Sequence, residues 1–210
     1  MSFFIGRSSA NSNWDYSTLF PEFSVHTLSR LQQLCALVCE KNRIVNLISR
    51  KNIDQIVEAH LLPSLAILKK FSFTERATIL DVGTGGGFPG IPLAIATPHA
   101  HFTLVDSIEK KIRAVEKFVT ALELKNVTCT VDRAENLKKK YDYITGRAVT
   151  NIADFRRLVE PLRKPNGKIL YLTGGDIMPE NNVEIIDLFT LCQQLYCKTK
   201  KLLVIYPPTA

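Results

Sequence analysis

The first part of the chain repeats its apolar residues with the period of an α-helix. Leucine and valine recur at three- and four-residue steps, which predicts an amphipathic helix over residues 22–42. A second helix is predicted over residues 53–70, bent at Pro63 because proline lacks the N–H of an interior hydrogen bond. We therefore interpret residues 21–76 as a helical cap, preceded by a polar tail at residues 1–20.

From residue 77 onward, short apolar runs alternate with stretches of helical period, which predicts a parallel sheet covered on both faces. The C-terminal part differs, because residues 184–191 have a helical pattern and the sequence LYCKTKKLLVIYPP after them is typical of antiparallel edge strands. The prediction is a Rossmann-like α/β domain over residues 77–210, mostly parallel with an antiparallel C-terminal edge and compact with the cap. Its parallel strands are predicted at Ile79–Val82, His101–Asp106, Val127–Asp132, Tyr143–Gly146 and Lys168–Thr173.

The segment DVGTGGGFPG, residues 81–90, places five of the chain's ten glycines directly behind the first predicted strand. Clustered glycines let a ligand approach the backbone closely, and N–H groups at the end of a strand can face it. Two interpretations fit the spacing. The pattern G-x-G-x-x-G is the dinucleotide fingerprint. The pattern D-x-G-x-G-x-G is typical of the turn that holds S-adenosylmethionine, and its glycines here are Gly83, Gly85 and Gly87.

Three features favour S-adenosylmethionine. A carboxylate at Asp81 would repel a pyrophosphate but attract the ammonium and sulfonium groups of the methyl donor. Pro89 removes a backbone N–H where the dinucleotide turn needs a regular helix start. After the third strand, VDRAENL provides a further acidic position, where a side-chain or backbone acceptor can bind the adenine N6 amino group next to the backbone N–H groups of Ala134 and Glu135. Asp106 suits the ribose hydroxyls of either ligand, so it does not distinguish a dinucleotide from S-adenosylmethionine. We therefore predict a class I S-adenosylmethionine-dependent methyltransferase fold.

Composition narrows the class of partner. Lys and Arg number 27 against 20 Asp and Glu, a formal net charge of +7, which favours a polyanion such as nucleic acid. Five cysteines are scattered without a C-x-x-C pair, as expected in a reducing compartment, and they indicate no zinc site. No apolar run approaches the roughly 18–20 residues of a membrane helix. We expect a cytoplasmic protein that uses no metal and contacts no membrane.

The methyl acceptor can be narrowed by the chemistry that the sequence lacks. Methylation of pyrimidine carbon-5 needs a cysteine nucleophile, and none of the five cysteines is predicted in a loop directly following the fourth or fifth strand. The Asn/Asp-Pro-Pro-aromatic segment typical of exocyclic amine methylation is also missing after the fourth strand, and the Tyr-Pro-Pro at 206–208 lies too far along the chain. An acceptor that is already nucleophilic, such as guanine N7, remains. Catalysis then reduces to holding the acceptor in line with the methyl group.

Arg147 is the predicted catalytic residue. It follows the fourth strand, at the sheet edge where ligands bind in this fold, and its planar guanidinium can meet a phosphate or guanine acceptors. An alternative for Arg147 is a salt bridge to Asp81 or Asp142.

Several stretches resemble one known family. ILDVGTGGGFPGIPLAIATPHAHFTLVDS, followed by KK, VDRAE, YDYITGRAV and PNGKILYLTG, is similar to the ribosomal RNA small subunit methyltransferase G family, with Gly-Phe-Pro-Gly the most specific element. The resemblance extends from Asn46 to Tyr206. NRIVNLISR and EAHLLPSLAI are similar to the family's Asn-Leu-Thr and His-x-x-Asp-Ser-Leu segments, except that Ile48, Ser49 and Pro63 depart from them.

The resemblance implies methyl transfer from S-adenosylmethionine to N7 of one guanine in 16S rRNA. It places Gly83 and Phe88 against the donor, Ala134 and Glu135 against its adenosine, and Arg147 in the active centre. On the substrate side it implies Asn46 and His60, with 16S rRNA or the small ribosomal subunit as partner. Three alternatives are a small-molecule methyltransferase of the same fold, a nicotinamide-dependent oxidoreductase, and a ribosome-binding protein that has the fold but no activity.

Overall fold

The computed structural model describes residues 19–193 and 197–208. Across these residues one sheet of seven strands has the order β3-β2-β1-β4-β5-β7-β6. Strands β1 to β5 pair in parallel, whereas β7 is antiparallel to both β5 and β6. The strands are β1 Thr78–Val82, β2 His101–Asp106, β3 Val127–Val131, β4 Tyr141–Arg147, β5 Arg163–Gly174, β6 Val183–Asp187 and β7 Lys200–Ile205.

Helices cover both faces of the sheet. They are α1 Val25–Asn42, α2 Leu62–Ala66, α3 Gly90–Ala96, α4 Glu109–Ala121, α5 Ile152–Val159 and α6 Leu188–Cys192. Shorter 3-10 turns occur at Arg50–Gln55, Ile67–Lys69, Ala134–Asn136 and Glu160–Leu162, and a π-helical turn spans Val57–Leu61. Within the described residues no helix combines the length and apolarity that crossing a membrane requires.

The apolar alternation of the strands builds two cores. Along β7, Leu202 and Val204 face the core under α1, α3 and α4, whereas Leu203 and Ile205 face the core under α5. The helical cap contributes to the first of these cores through α1, whose buried stripe includes Leu31, Leu34 and Val38. Burial of apolar side chains is the main favourable contribution to folding, so the cap and the sheet are stabilised by the same packing.

The predicted helix over residues 22–42 is present but begins later. Ser24 is its N-cap, and the Ser24 hydroxyl accepts a hydrogen bond from the Thr27 N–H at 3.1 Å. Residues 1–18 of the predicted polar tail lie outside the described residues. Phe20, at the end of that predicted tail, is buried and stacks on Phe23 with ring centres 4.7 Å apart.

Two predicted helices were wrong in detail. Residues 53–70 form 3-10, π-helical and α-helical turns in succession instead of one helix bent at Pro63, which lies in the first turn of α2. The stretch 184–191 is helical only from Leu188, because its first part is the edge strand β6. The apolar run Ile185–Ile186 fits either element, and pairing of β6 with β7 decides for the strand.

Candidate functional site

A crevice lies at the carboxyl ends of β1, β2 and β4, and it has two adjoining parts. We call the part with a cavity volume of about 420 Å³ the His60 half, and the part of about 430 Å³ the Asp106 half. Gly83, Lys111 and Ala148 line both. Since no side chain of the turn at Gly83 separates the halves, an elongated molecule can lie across them.

The glycine turn between β1 and α3 is held by its own hydrogen bonds. Gly83 and Thr84 both donate to the carbonyl oxygen of Val105, and the Gly85 N–H donates to Asp106 Oδ2 at 3.1 Å. Gly83, Gly85 and Gly87 have φ of 66°, 58° and 90°, which other residues adopt only with strain. Most N–H groups of this turn therefore bond to protein, so the expected row of free N–H groups is not what the turn offers a ligand.

The predicted cofactor glycines have different positions. Gly83 lines both halves and Gly85 lines the His60 half, together with Phe88. Gly87 lines neither, and its N–H donates to the Thr84 carbonyl oxygen. A Cβ on Gly87 would lie 2.8 Å from Cγ1 of Ile91 in α3. Gly87 thus shapes the turn and lets α3 pack closely.

Gly87→Ala should lower the free energy of unfolding by about 2–4 kcal/mol, because it adds a clash with Ile91 to the strain of a positive φ. Gly175→Ala is the matched control, since Gly175 has φ of 82° and no atom lies within 4 Å of the position that a Cβ would take there. The control variant should lose only the stability that the strained φ costs, about 1–2 kcal/mol. Urea unfolding measures both, and equal losses would show that Ile91 yields without penalty.

Asp81 does not lie where its predicted role requires. Its side chain is 0% exposed and lines neither half of the crevice. Oδ2 accepts hydrogen bonds from Thr84 Oγ1 at 2.7 Å and from the Gly90 N–H at 3.1 Å, and Oδ1 accepts one from Thr145 Oγ1 at 2.9 Å. In this structure the carboxylate ties the glycine turn to β4 and to the start of α3, and its contact with the donor's ammonium stays a prediction that the observed burial does not support.

The Asp106 half contains the acid and the backbone groups predicted for a nucleoside. Asp106 lines it at the end of β2, with Oδ2 accepting from Gly85 and Oδ1 accepting from the Ile108 N–H at 2.9 Å. Ala134 and Glu135 line the opposite side, and their N–H groups make no hydrogen bond to the described residues. Contact of these residues with ribose and adenine stays a prediction, which their positions permit.

The His60 half brings together two residues 87 positions apart. Arg147 Nη1 donates to the carbonyl oxygen of Ala59 at 3.5 Å and contacts Nδ1 of His60. Its guanidinium carbon lies 5.6 Å from the ring centre of Phe88. Burial lowers the pKa of Arg147 to about 10, and the charge of Asp81 acts against this shift.

The alternative of a salt bridge from Arg147 is not realised. Asp142 instead pairs with Lys164 Nζ at 2.8 Å and accepts from Thr78, and Asp81 forms no ion pair among the described residues. The positive charge of Arg147 at the crevice wall is therefore not neutralised by either of these two carboxylates.

His60 is 6% exposed, and the turn Val57–Leu61 presents it to the crevice. Burial lowers its pKa to about 3, and the charges of Arg147 and Lys200 lower it further in the same direction. The imidazole is therefore neutral at physiological pH. Its Nε2 is buried and has no hydrogen-bond partner among the described residues.

Asn46, a predicted substrate-binding residue, lies beside the crevice and not in it, and the sequence prediction missed several residues that line the crevice. Asn46 is exposed and lines neither half, while its neighbours Leu47, Ile48 and Ser49 line the His60 half. Asn42 Oδ1 shapes this loop by accepting from the N–H groups of Leu47 and Ile48. A contact of Asn46 with substrate stays a prediction for the surface outside the crevice.

Two lysines also line the His60 half, Lys111 from α4 and Lys200 from β7. Burial and the charge of Arg147 lower the pKa of Lys200. Lys111 belongs to the Lys-Lys pair at 110–111, which was a usable signal. Lys200 lies in β7 and belongs to a second Lys-Lys pair at 200–201, but nothing in the sequence indicates that this distant strand lines the same crevice.

Two buried groups should affect stability in opposite directions over the same pH range. Burial raises the pKa of Asp81 from 3.8 to about 6, so the stability that it contributes is complete below about pH 4 and is lost as the pH rises to 6. His60, with its pKa lowered from 6.5 to about 3, contributes stability that is complete above about pH 6.5 and is lost as the pH falls.

We therefore expect His60→Asn to become more stable relative to the parent protein by about 1.4 kcal/mol for each unit that the pH falls from 6 to 4. Asp81→Asn should become less stable relative to the parent over the same range. Urea unfolding at pH 4.5, 5.5 and 6.5 measures both slopes. Parallel curves for all three proteins would contradict the assigned shifts.

The chain matches the protein family described as rRNA small subunit methyltransferase G over residues 27–201. A ribosomal RNA small subunit methyltransferase G from Flavobacterium johnsoniae is 43% identical over 192 residues, covering 87% of this chain and 92% of the relative. A protein of the same name from Flavobacterium psychrophilum is 46% identical over 167 residues, covering 77% and 80%. A solved SAM-dependent methyltransferase from Aquifex aeolicus is similar with a TM-score of 0.56 at 16% identity, covering 78% of this chain and 96% of its own. This likeness confirms the predicted fold class.

Proposed function

The chain belongs to the ribosomal RNA small subunit methyltransferase G family, and on this premise we propose that it transfers a methyl group from S-adenosylmethionine to N7 of one guanine in 16S rRNA. Membership makes it an S-adenosylmethionine-dependent methyltransferase and sets aside the nicotinamide-dependent alternative. As partner we propose 16S rRNA or the small ribosomal subunit, and as location the cytoplasm. The formal net charge of +7 supports a polyanionic substrate.

The residues present fit the methyl donor. In the Asp106 half, a carboxylate and the N–H groups of Ala134 and Glu135, which have no partner among the described residues, suit the hydroxyls and ring nitrogens of adenosine. The bare turn at Gly83 leaves room for the donor to continue into the His60 half. When bound, the donor supplies an electrophilic methyl group on a sulfonium centre. Gly83, Phe88 and Asp106 would hold it, and the protein's part is to place the acceptor in line.

One observation carries the choice of N7. The described residues lining the His60 half include no carboxylate, tyrosine or cysteine. Its titratable groups are three cations and His60, whose Nδ1 lone pair faces Arg147 Nη1. The half therefore offers hydrogen-bond donors but no free base. An exocyclic amine or a hydroxyl must lose a proton when it is methylated, whereas guanine N7 reacts through an in-plane lone pair, so a wall without a base suits N7.

Arg147 can orient the substrate beside such an acceptor. Methylation at N7 places a positive charge on the base. The titratable groups of the His60 half are cations and a neutral imidazole, so they can orient guanine oxygens and phosphates but cannot neutralise the product. The guanidinium is fixed by Ala59 and His60 through Nη1, which leaves its other N–H groups without a partner among the described residues. A planar donor held in this way can bind a phosphate or the acceptor edge of guanine.

Mapping methylated nucleosides in 16S rRNA tests the proposed function. Small subunits from a strain that lacks this gene should be missing one N7-methylguanosine, and purified protein with S-adenosylmethionine should restore it in vitro. The control is the same gene carrying Arg157→Ala, since Arg157 is exposed on α5, pairs with Asp154 and lies outside the crevice. A complete set of methylated guanines in the deletion strain, or methyl transfer to a different atom, would overturn the proposal.

A further inference from the structure

The orphaned nitrogen of His60 indicates which groups of the acceptor base the protein binds. Arginine only donates hydrogen bonds, so Nδ1 of His60, which contacts Arg147 Nη1, must be the acceptor of that pair. A neutral imidazole carries its single proton on the other nitrogen, and the tautomer of His60 is therefore Nε2–H. That donor is buried and has no acceptor among the described residues.

A buried donor without an acceptor destabilises the free protein, so in a native structure it calls for an explanation. His60 lines the crevice, and the side chains that line the same half include no carboxylate that could accept its proton. The neighbouring charges, those of Arg147 and Lys200, are both positive. No described residue accepts a hydrogen bond from this donor, so a molecule bound in the crevice can supply the acceptor.

We propose that Nε2–H of His60 donates a hydrogen bond to O6 of the guanine that accepts the methyl group. This proposal rests on the proposed function and identifies the residue that recognises the base. Guanine presents two acceptors side by side, N7 and O6. N7 must keep its lone pair for the methyl group, so O6 is the atom available to a donor.

The same contact rejects adenine. Adenine carries an N6 amino group where guanine has O6, and that amino group would place its own donor against Nε2–H. A site built to bond one polar group discriminates strongly against an analogue that leaves its buried partner unpaired. The fixed tautomer matters here because the alternative, Nδ1–H, would leave an acceptor at Nε2 and would favour adenine.

Two substitutions distinguish the roles of the two ring nitrogens of His60. His60→Asn keeps an amide oxygen near the position of Nδ1 for Arg147 but loses the donor at Nε2. His60→Gln places an amide N–H near the position of Nε2. With small subunits from the deletion strain, we expect His60→Asn to lower kcat about 10- to 100-fold. The His60→Gln variant should recover about tenfold of that loss. Both variants should bind S-adenosylhomocysteine with an affinity within about twofold of the parent.

His99→Asn is the matched control. Nε2 of His99 is satisfied by the carbonyl oxygen of Phe73 at 2.8 Å, and the residue lies outside both halves of the crevice. It should lower the melting temperature and leave kcat unchanged, whereas His60→Asn should lower kcat and leave the melting temperature of the ligand-free protein unchanged or higher.

Two results would overturn the proposal. If the His60→Gln variant is no more active than His60→Asn, the N–H donor at the position of Nε2 does not contribute to catalysis. Loss of S-adenosylhomocysteine affinity in step with kcat would show that Nε2–H contacts the methyl donor and not the base. Failure of the proposed function is seen separately, since the parent protein would then methylate no guanine in the same subunits.

Discussion

Arg147→Ala should lower the rate of methyl transfer to small subunits by about 10²- to 10³-fold, the range seen when one preorganised donor is removed from an active site. Affinity for S-adenosylhomocysteine should stay within about twofold of the parent, because the predicted nucleoside contacts Asp106, Ala134 and Glu135 lie in the Asp106 half, which Arg147 does not line. Single-turnover kinetics and calorimetry measure the two quantities. The physical reason is that Arg147 is the charged group fixed by Ala59 and His60 at the acceptor end of the crevice.

Arg147→Lys sharpens this test. A lysine restores one positive charge but not the planar set of N–H groups that contacts Ala59 and His60 while still facing a substrate. We expect a rate intermediate between those of the alanine variant and the parent protein. A lysine variant as active as the parent would show that charge alone matters, and an alanine variant with unchanged turnover would remove Arg147 from the active centre.

Asp81→Ala should lower the free energy of unfolding by about 3–5 kcal/mol, since it leaves three buried donors without their acceptor. These are the hydroxyls of Thr84 and Thr145 and the N–H of Gly90. Urea unfolding at pH 7.5 measures the loss. The methyl donor should then bind more weakly as a consequence of a loosened glycine turn, not of a lost contact.

Asp81→Asn is the matched variant. Its amide oxygen can accept from Thr84 and Gly90, and its N–H can donate to Thr145, whose hydroxyl can turn toward the Leu80 carbonyl oxygen at 3.4 Å. We expect a loss of less than about 1 kcal/mol, since burial already raises the pKa of Asp81 to about 6 and makes its charge unfavourable. Equal losses in the two variants would show that the hydrogen bonds of Asp81 contribute little.

The position of the crevice could be predicted from sequence, whereas one of the reasons given for its ligand has no support in the structure. Strand periodicity located the ends of β1, β2 and β4, and parallel strands bring those ends to one edge. The charge argument placed Asp81 against the donor, but that carboxylate is buried and bonds to Thr145, which lies 64 residues away and shares no local pattern with it. The class of donor was nevertheless correct, since the family resemblance also indicated it, whereas the glycine spacing alone fitted two ligands.

Contacts between distant segments were the other limit. Arg147 was chosen for its place after β4, but its partner His60 comes from a π-helical turn that the sequence suggested was a regular helix. Asn46 was selected from a motif, and the chain turns so that Leu47 and Ile48 enter the crevice instead. Periodicity predicts which face of an element is buried, but it does not predict which atoms of two elements meet.

The loop closed by Asn42 and the turn carrying His60 both belong to the first 76 residues, and both form walls of a crevice whose floor comes from the sheet. A chimaera that exchanged this N-terminal segment for that of a distant methyltransferase would therefore lose the histidine that fixes the arginine, even if every sheet residue were kept. In this architecture the N-terminal segment and the sheet domain form one crevice together, so a change of the target base requires coordinated substitutions in both.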